Sequence, residues 1–289
     1  MNRAVGFDVS KWEGLVNYKQ SVANGASFVF VKASEYVADP MFATNWKNAK
    51  AAGLLRGAFH FLDWNWSEIG QAELFLKTVG TDIGELPLVL DLEVLPLVGM
   101  TAAVVAGKAW NFLTYVEKMT GHVPMLYVGY YYWNDWGSNN LGWTHFPLWL
   151  PWYAWEIFVK TPKPWTHWNF WQPSAKWNGP AFGCQSLSVD GNYFNGSVDD
   201  LKKFTSGMPL PAPTPTPAPV PQANTYRINA GVNPNVHSGS GGGPVIGYLL
   251  SGTLVVVDDL TSEQWYAHFL PVAGYPAGGW TYKPYLTKV

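Results

Sequence analysis

A run of alternating prolines, PLPAPTPTPAPVPQA at residues 209–223, constrains this chain more than any other feature. Repeated prolines remove backbone donors and favour extended polyproline II, so the stretch cannot enter a packed core. The chain must therefore fold as two units joined by a semi-rigid spacer. Residues 1–208 carry a mixed α/β pattern, and residues 224–289 a short-stranded, turn-rich β pattern. With 289 residues, 48% of them hydrophobic, there is material for one barrel-sized domain and a smaller module.

In the first unit, eight short apolar runs read as strands: AVGFDVS, FVFVKAS, LLRGAFHFL, LPLVLDLEV, PMLYVGYYYW, PLWLPWYA, WNFWQPSA and SLSVDGNYF. Between the first five lie NWKNAKAAG, SEIGQAELFLKTVG and TAAVVAGKAWNFLTYVEKMTG, whose apolar positions recur near the helical period. After PMLYVGYYYW the connections turn rich in Trp, Asn, Pro and Gly, so the last strands are expected to follow one another with few helices. The most apolar runs are continuous rather than alternating, as suits parallel strands covered on both faces. These features predict an α/β fold, an irregular β/α barrel.

Polar side chains close several of these runs: Asp8 in GFDVS, Lys32 and Ser34 in FVFVKAS, His60 in GAFHFL, Asp91 and Glu93 in VLDLEV. In β/α barrels the C-terminal strand ends converge on one face, where active sites form, so the carboxylates are expected around one cleft. Asp91 and Glu93 stand two residues apart and project to the same face, about 6–7 Å apart along the backbone. Such a pair suits glycoside cleavage. One group, protonated, supplies the leaving oxygen with its proton, while the other, charged, stabilises an oxocarbenium-like transition state or assists attack. Crowded like charges and apolar walls raise at least one pKa, and Glu93 is the expected acid. The pair alone also fits a structural carboxylate pair held by Lys32 or Arg56, or a divalent-metal site; Asp8 in the same cleft tips the reading towards catalysis.

Charged residues amount to 13% and the formal net charge is −2, which gives no strong pull towards nucleic acid or anionic lipid. No segment approaches a membrane span. The 17 Trp and 15 Tyr residues offer flat rings on which sugar faces stack, although most such rings in any protein are core. Cys184 is the single cysteine, which excludes an intrachain disulfide and a Cys-based zinc cluster. No cofactor and no metal are expected. The start, MNRAVGFDVSKW, lacks the cationic, apolar and small-residue regions of a secretory signal, so the expected route out of the cytoplasm is a different one.

In order along the chain, GFDVSKWEG, FVFVKASE, GAFHF, VLDLEV, PMLYVGY, PLWLPWYA, FWQPSA and VDGNYFNG resemble the motifs of family 25 glycoside hydrolases. The resemblance spans residues 3–204. It implies five β/α units followed by three β-strands, and hydrolysis of the β-1,4 bond between N-acetylmuramic acid and N-acetylglucosamine in peptidoglycan. By motif position Asp8 matches the family's first-strand aspartate, Asp91 and Glu93 its D-x-E pair, and Asp190 the aspartate of its last strand. The resemblance makes Glu93 the general acid and gives the aspartates the task of orienting or stabilising substrate. Whether the substrate's own acetamido group assists is open, and the backbone spacing fits either geometry. Tyr127, Trp149, Trp171 and Gln172 match groove-lining positions, with core packing the alternative for Trp149 and Trp171; Lys32 and His60 complete the expected substrate contacts, a satisfied structural histidine being an equal reading of His60. Trp64, Trp66, Trp152 and Trp155 exceed the family pattern and either extend the groove or pack.

Residues 224–289 resemble a bacterial SH3-type domain through NPNVHSGSG, PVIGYLLSGTLVVV, WYAHF and GWTYKPYL, with His237 where such domains often carry Arg. The resemblance implies a small all-β module that holds the enzyme on its polymer. The expected partner is bacterial peptidoglycan, acted on by a monomer in the setting of a bacteriophage lysin released through membrane pores. Two other readings are a chitinase-like glycosidase and a non-catalytic wall-binding protein. LPLVLDLEV lacks the longer run of alternating aspartates typical of chitinases, and the full set Asp8, Asp91, Glu93 and Asp190 argues for activity.

Overall fold

The computed structural model describes residues 3–153, 159–206 and, C-terminally, seven strands between 225 and 288. Two compact units emerge, Met1–Pro211 and Ala212–Val289. The proline-rich segment 209–223 and Trp155 lie outside the described residues.

Eight strands close the barrel of the first unit in sequence order: β1 (Val5–Val9), β2 (Ala26–Ser34), β3 (Leu55–Phe61), β4 (Val89–Leu92), β5 (Met125–Val128), β6 (Leu148–Pro151), β7 (Phe170–Asn178) and β8 (Ser188–Phe194). Neighbours from β1 to β7 run parallel, whereas β8 is antiparallel to both β7 and β1. Helices α1 (Tyr18–Ala23), α2 (Phe42–Ala51), α3 (Glu68–Val79), α4 (Ala102–Thr120) and α5 (Tyr130–Trp136) follow β1 to β5 in turn, and α6 (Val198–Ser206) follows β8. Among the described residues no α-helix separates β6, β7 and β8. The change in connection chemistry after the fifth strand marks this switch.

Each of the eight apolar runs forms a strand, but PMLYVGYYYW is only half extended. The strand stops at Val128, Gly129 caps α5, and Tyr130–Trp136 is helical. Tertiary contacts outweigh the strand preference of the aromatic run. The Trp133 ring is buried edge-on against Trp143 and Trp165, and its indole N–H donates to the Lys163 carbonyl at 2.7 Å. The longest helix, α4, needs no such explanation. Thr101 caps it by accepting from the Val104 N–H, Gly121 ends it in the left-handed region (φ 75°), and Val105, Ala106, Ala109, Phe112, Leu113 and Val116 make one buried face.

Strand alternation sorts side chains into barrel lumen and helical shell. The apolar lumen holds Phe28, Phe30, Phe59, Val89, Met125, Tyr127, Trp149, Phe170 and Phe194. Phe30 stacks on Trp149 with ring centroids 4.3 Å apart, and Phe170 meets Phe28 edge-on at 5.2 Å. Two glycines make room for this filling. A Cβ on Gly6 would lie 2.4 Å from the Phe28 ring, and one on Gly57 at the same distance from Phe30. At the opposite face from the cleft, buried Arg56 pairs with Asp82 at 3.0 Å and Glu85 at 2.8 Å and lies over Trp46. That ion network removes Arg56 as a partner for Asp91 and Glu93.

The second unit is an antiparallel sheet of β9 (Thr225–Ile228), β10 (Asn235–His237), β11 (Val245–Tyr248), β12 (Leu254–Asp259), β13 (Tyr266–Phe269), β14 (Gly279–Tyr282) and β15 (Leu286–Lys288), in the order β11-β10-β14-β13-β12-β9-β15. His237 lies on β10 and pairs with Trp280.

Candidate active site

The antiparallel return of β8 sets Asp190 directly opposite Asp8 of β1. Both lie at the end of the barrel where the parallel strands finish. Gln172 of β7 stands beside them: its amide nitrogen donates to Asp8 Oδ2 at 3.0 Å and reaches Asp190 Oδ2 at 3.5 Å. The amide of Asn192, two residues along β8 from Asp190, donates to the same Asp8 Oδ2 at 2.7 Å. The Gln172 carbonyl oxygen accepts from the hydroxyls of Tyr127 and Tyr153, each at 2.9 Å.

Across the cleft, Asp91 occupies β4 and Glu93 lies just past the strand's last residue, Leu92. Asp91 is buried and its Oδ1 has no hydrogen-bond partner. Glu93 is exposed in the open cleft. Lys32 rises from β2 beside them; its ammonium bonds Glu35 at 2.7 Å and lies 4.5 Å over the Phe61 ring.

All four carboxyls bind their protons more tightly than usual. Burial is the first cause in each case. Asp8 is raised well above the ordinary range by burial and then by Asp190, against the pull of the Asn192 and Gln172 donors. Asp91 is raised likewise by burial and by Glu93, with Lys32 opposing. Asp190 moves up to about 6 through burial, Glu13 and Glu93. Glu93 is raised by the protein around its carboxyl despite the side chain's open face, while the nearby Lys32 ammonium and Tyr127 hydroxyl hold it back. The cleft thus combines groups able to donate a proton with a cation able to hold a neighbouring carboxylate charged, as acid-assisted bond cleavage requires.

Asp8, Asp91, Glu93, Asp190, Tyr127, Gln172 and Lys32 come together here. The other three expected contacts lie elsewhere or act differently. His60 is fully buried on the outer side of β3, bonded to Ser34 at 2.9 Å and Gln71 at 3.0 Å and stacked on Phe112 of α4; burial lowers its pKa to about 4. It braces the strand against the helices and does not reach a ligand in the cleft. Trp171 also faces outward, among Trp168 and Tyr193, with its indole N–H on the Trp152 carbonyl. Trp149 does face inward, but it is buried below the carboxylates, and its indole N–H donates to Asn192 Oδ1 at 2.9 Å. Gln172 is 2% exposed and its amide is engaged at both ends, so it holds carboxylates rather than a free ligand edge.

Sequence reasoning passed over Asn192, Tyr153 and Glu13. Asn192 shares the face of Asp190 by simple alternation, which is the signal that could have found it. Glu13 sits in a capping box with Ser10 after β1, and nothing local in the sequence reveals that it approaches Asp8 and Asp190. Among the described residues no group of three or more His, Cys, Asp or Glu side chains is arranged to hold a metal ion, and no helix is long and apolar enough to cross a membrane.

Comparison with known proteins gives this geometry a lineage. The family model described as "Glycosyl hydrolases family 25" matches residues 7–180, from β1 through β7; Asp190 and Asn192 lie beyond it. The chain is 34% identical over 214 residues to "Uncharacterized protein YegX" of Escherichia coli (strain K12), covering 70% of this chain and 74% of that one. It is 29% identical over 217 residues to the N,O-diacetylmuramidase of Chalaropsis sp, covering 70% and 99%. The crystal structure of the bacterial lysozyme from Streptomyces coelicolor superposes with a TM-score of 0.64 at 29% identity, covering 72% of this chain and 99% of that one. With its carboxylates gathered at the mouth of a five-unit β/α barrel, this chain belongs to glycosyl hydrolase family 25.

Proposed function

We propose that the protein is a muramidase that hydrolyses the β-1,4 bond between N-acetylmuramic acid and N-acetylglucosamine in bacterial peptidoglycan. The observation that carries this reading is the pairing of Glu93, open to the cleft and with its pKa raised, with buried Asp91 beside it. In this account Glu93 protonates the leaving oxygen. While Glu93 holds its proton it no longer repels Asp91, and the Lys32 charge favours the Asp91 carboxylate. Asp91, beside Glu93 in the cleft, would accept the N–H of the substrate's 2-acetamido group and help its carbonyl attack the anomeric carbon. Asp8 and Asp190 flank the opposite wall and orient the sugar.

Exposed rings crown the same end of the barrel: Trp12 after β1, Tyr36 after β2, Trp66 after β3, Tyr131 after β5 and Tyr153 after β6. Tyr131 stacks on Trp152 at 5.8 Å. Such a rim suits a polymer of N-acetylated sugars, whose apolar faces stack on aromatic planes. The second unit is read as an SH3-type wall-binding module, and the whole as a monomeric lysin of bacteriophage origin acting on the wall; a secretory signal upstream in the native reading frame would contradict that origin.

The chemistry is tested by incubating the protein with insoluble peptidoglycan, with and without a chelator, then reducing with borohydride and identifying new ends by mass spectrometry. Muramitol ends that ignore the chelator are expected. Glucosaminitol ends would overturn the bond assignment, and no release would favour a non-catalytic binding protein.

A further inference from the structure

Asn192 is fully buried inside the barrel with both ends of its amide committed. Its Oδ1 accepts from the Trp149 indole N–H at 2.9 Å, and its Nδ2 donates to Asp8 Oδ2 at 2.7 Å. Indole nitrogen can only donate, so the amide cannot turn over without setting two donors face to face. The Trp149 ring is itself locked, stacked on Phe30 at 4.3 Å and edge-on to Tyr127 at 4.7 Å. A rigid aromatic floor therefore dictates which atom meets Asp8.

We infer that Asn192 is a positioning residue for Asp8, with its orientation imposed by Trp149, so that Asp8 is held by Oδ2 and offers Oδ1 to the cleft. Gln172 supplies the second donor to the same oxygen, oriented by the hydroxyls of Tyr127 and Tyr153. Two donors on Oδ2 leave Oδ1 as the oxygen on which Asp8 carries a proton. Asp8 then meets the substrate as a fixed group, whichever protonation state the reaction uses. The other titratable groups facing it are Asp190 on β8, Glu13 after β1, Asp91 on β4, Tyr127 on β5, Tyr153 after β6 and Cys184 before β8. Asn192, like Gln172, is a neutral donor to Asp8, and its loss leaves all those charges in place.

The inference rests on the proposed hydrolytic cleft only for its kinetic arm. The direct test follows the Asp8 carboxyl by carbon NMR through a pH titration of the full chain labelled at aspartate, the resonance being assigned by its absence in Asp8→Asn. Removing a donor from the charged form makes deprotonation harder. Asn192→Leu should move the Asp8 midpoint upward by about one pH unit. Trp149→Phe should shift it the same way by less, and the double variant no further than Asn192→Leu, because both act through one bond. Asn192→Ala, which removes the donor without adding a charge, must raise the midpoint as well and serves if the leucine variant fails to fold. In the kinetic arm, kcat falls about tenfold with KM unchanged. An Asp8 midpoint unmoved in folded Asn192→Leu or Asn192→Ala, or additive effects of Trp149→Phe, would overturn the inference; moved midpoints without wall hydrolysis would instead overturn the muramidase reading alone.

Discussion

At the scale of single residues, the cleft crowds Asp8, Asp91, Glu93 and Asp190 where water is partly excluded, with Lys32 as the cation that acts on the Asp91–Glu93 pair. Crowding of this kind opposes folding at neutral pH. Asp190 titrates near 3.8 when free and about 6 in the folded protein, so the folded state binds the proton more tightly. Its contribution to stability is complete below pH 4 and is lost as pH rises through 6. Asp190→Asn should therefore stabilise the protein at pH 7, by about 1 kcal/mol after allowance for solvent screening, with no gain at pH 4. Urea unfolding at the two pH values checks this, and an equal effect at both would contradict it. The same substitution should depress hydrolysis, the usual opposition between stability and function at a site.

At the scale of elements, alternation along the barrel strands explains which expectations survive. Lys32 on β2, Asp91 on β4, Tyr127 on β5 and Gln172 on β7 share parity with the lumen residues Phe30, Val89, Met125 and Phe170 of their own strands. Trp171 is one step out of phase with Gln172, and His60 one step out of phase with Phe59, so both had to face outward, His60 onto α3 and α4 and Trp171 onto Trp168 and Tyr193. That much was legible in the residues once the lumen was known. The helical turn of YYYWNDW was not, since it depends on a distant pocket for Trp133, and neither was the approach of Glu13 to Asp8. His60→Ala should cost about 2–4 kcal/mol of stability by stranding Ser34 and Gln71 and opening a cavity, while leaving KM for a soluble muropeptide unchanged. A raised KM with intact stability would return His60 to the groove.

At the scale of the whole molecule, the chain divides into a catalytic barrel and a separate antiparallel sheet. Two units on one chain invite a division of labour, because tethering raises the effective concentration of the catalytic unit at a polymer that the other unit holds. Deleting residues 209–289 should leave turnover of soluble fragments intact and lower retention on insoluble wall by about a hundredfold. Unchanged sedimentation with cell walls would make the second unit an appendage without wall affinity.

In the proposed function Glu93 delivers the proton that breaks the glycan. That role is read from the rate of release of reducing ends from insoluble peptidoglycan by Glu93→Gln beside the parent protein, with thermal unfolding recorded for both. Glu93→Gln is expected to keep its fold and its wall retention and to lose about a hundredfold to ten-thousandfold in rate. A folded Glu93→Gln protein that releases muramitol ends at the parent rate would contradict it.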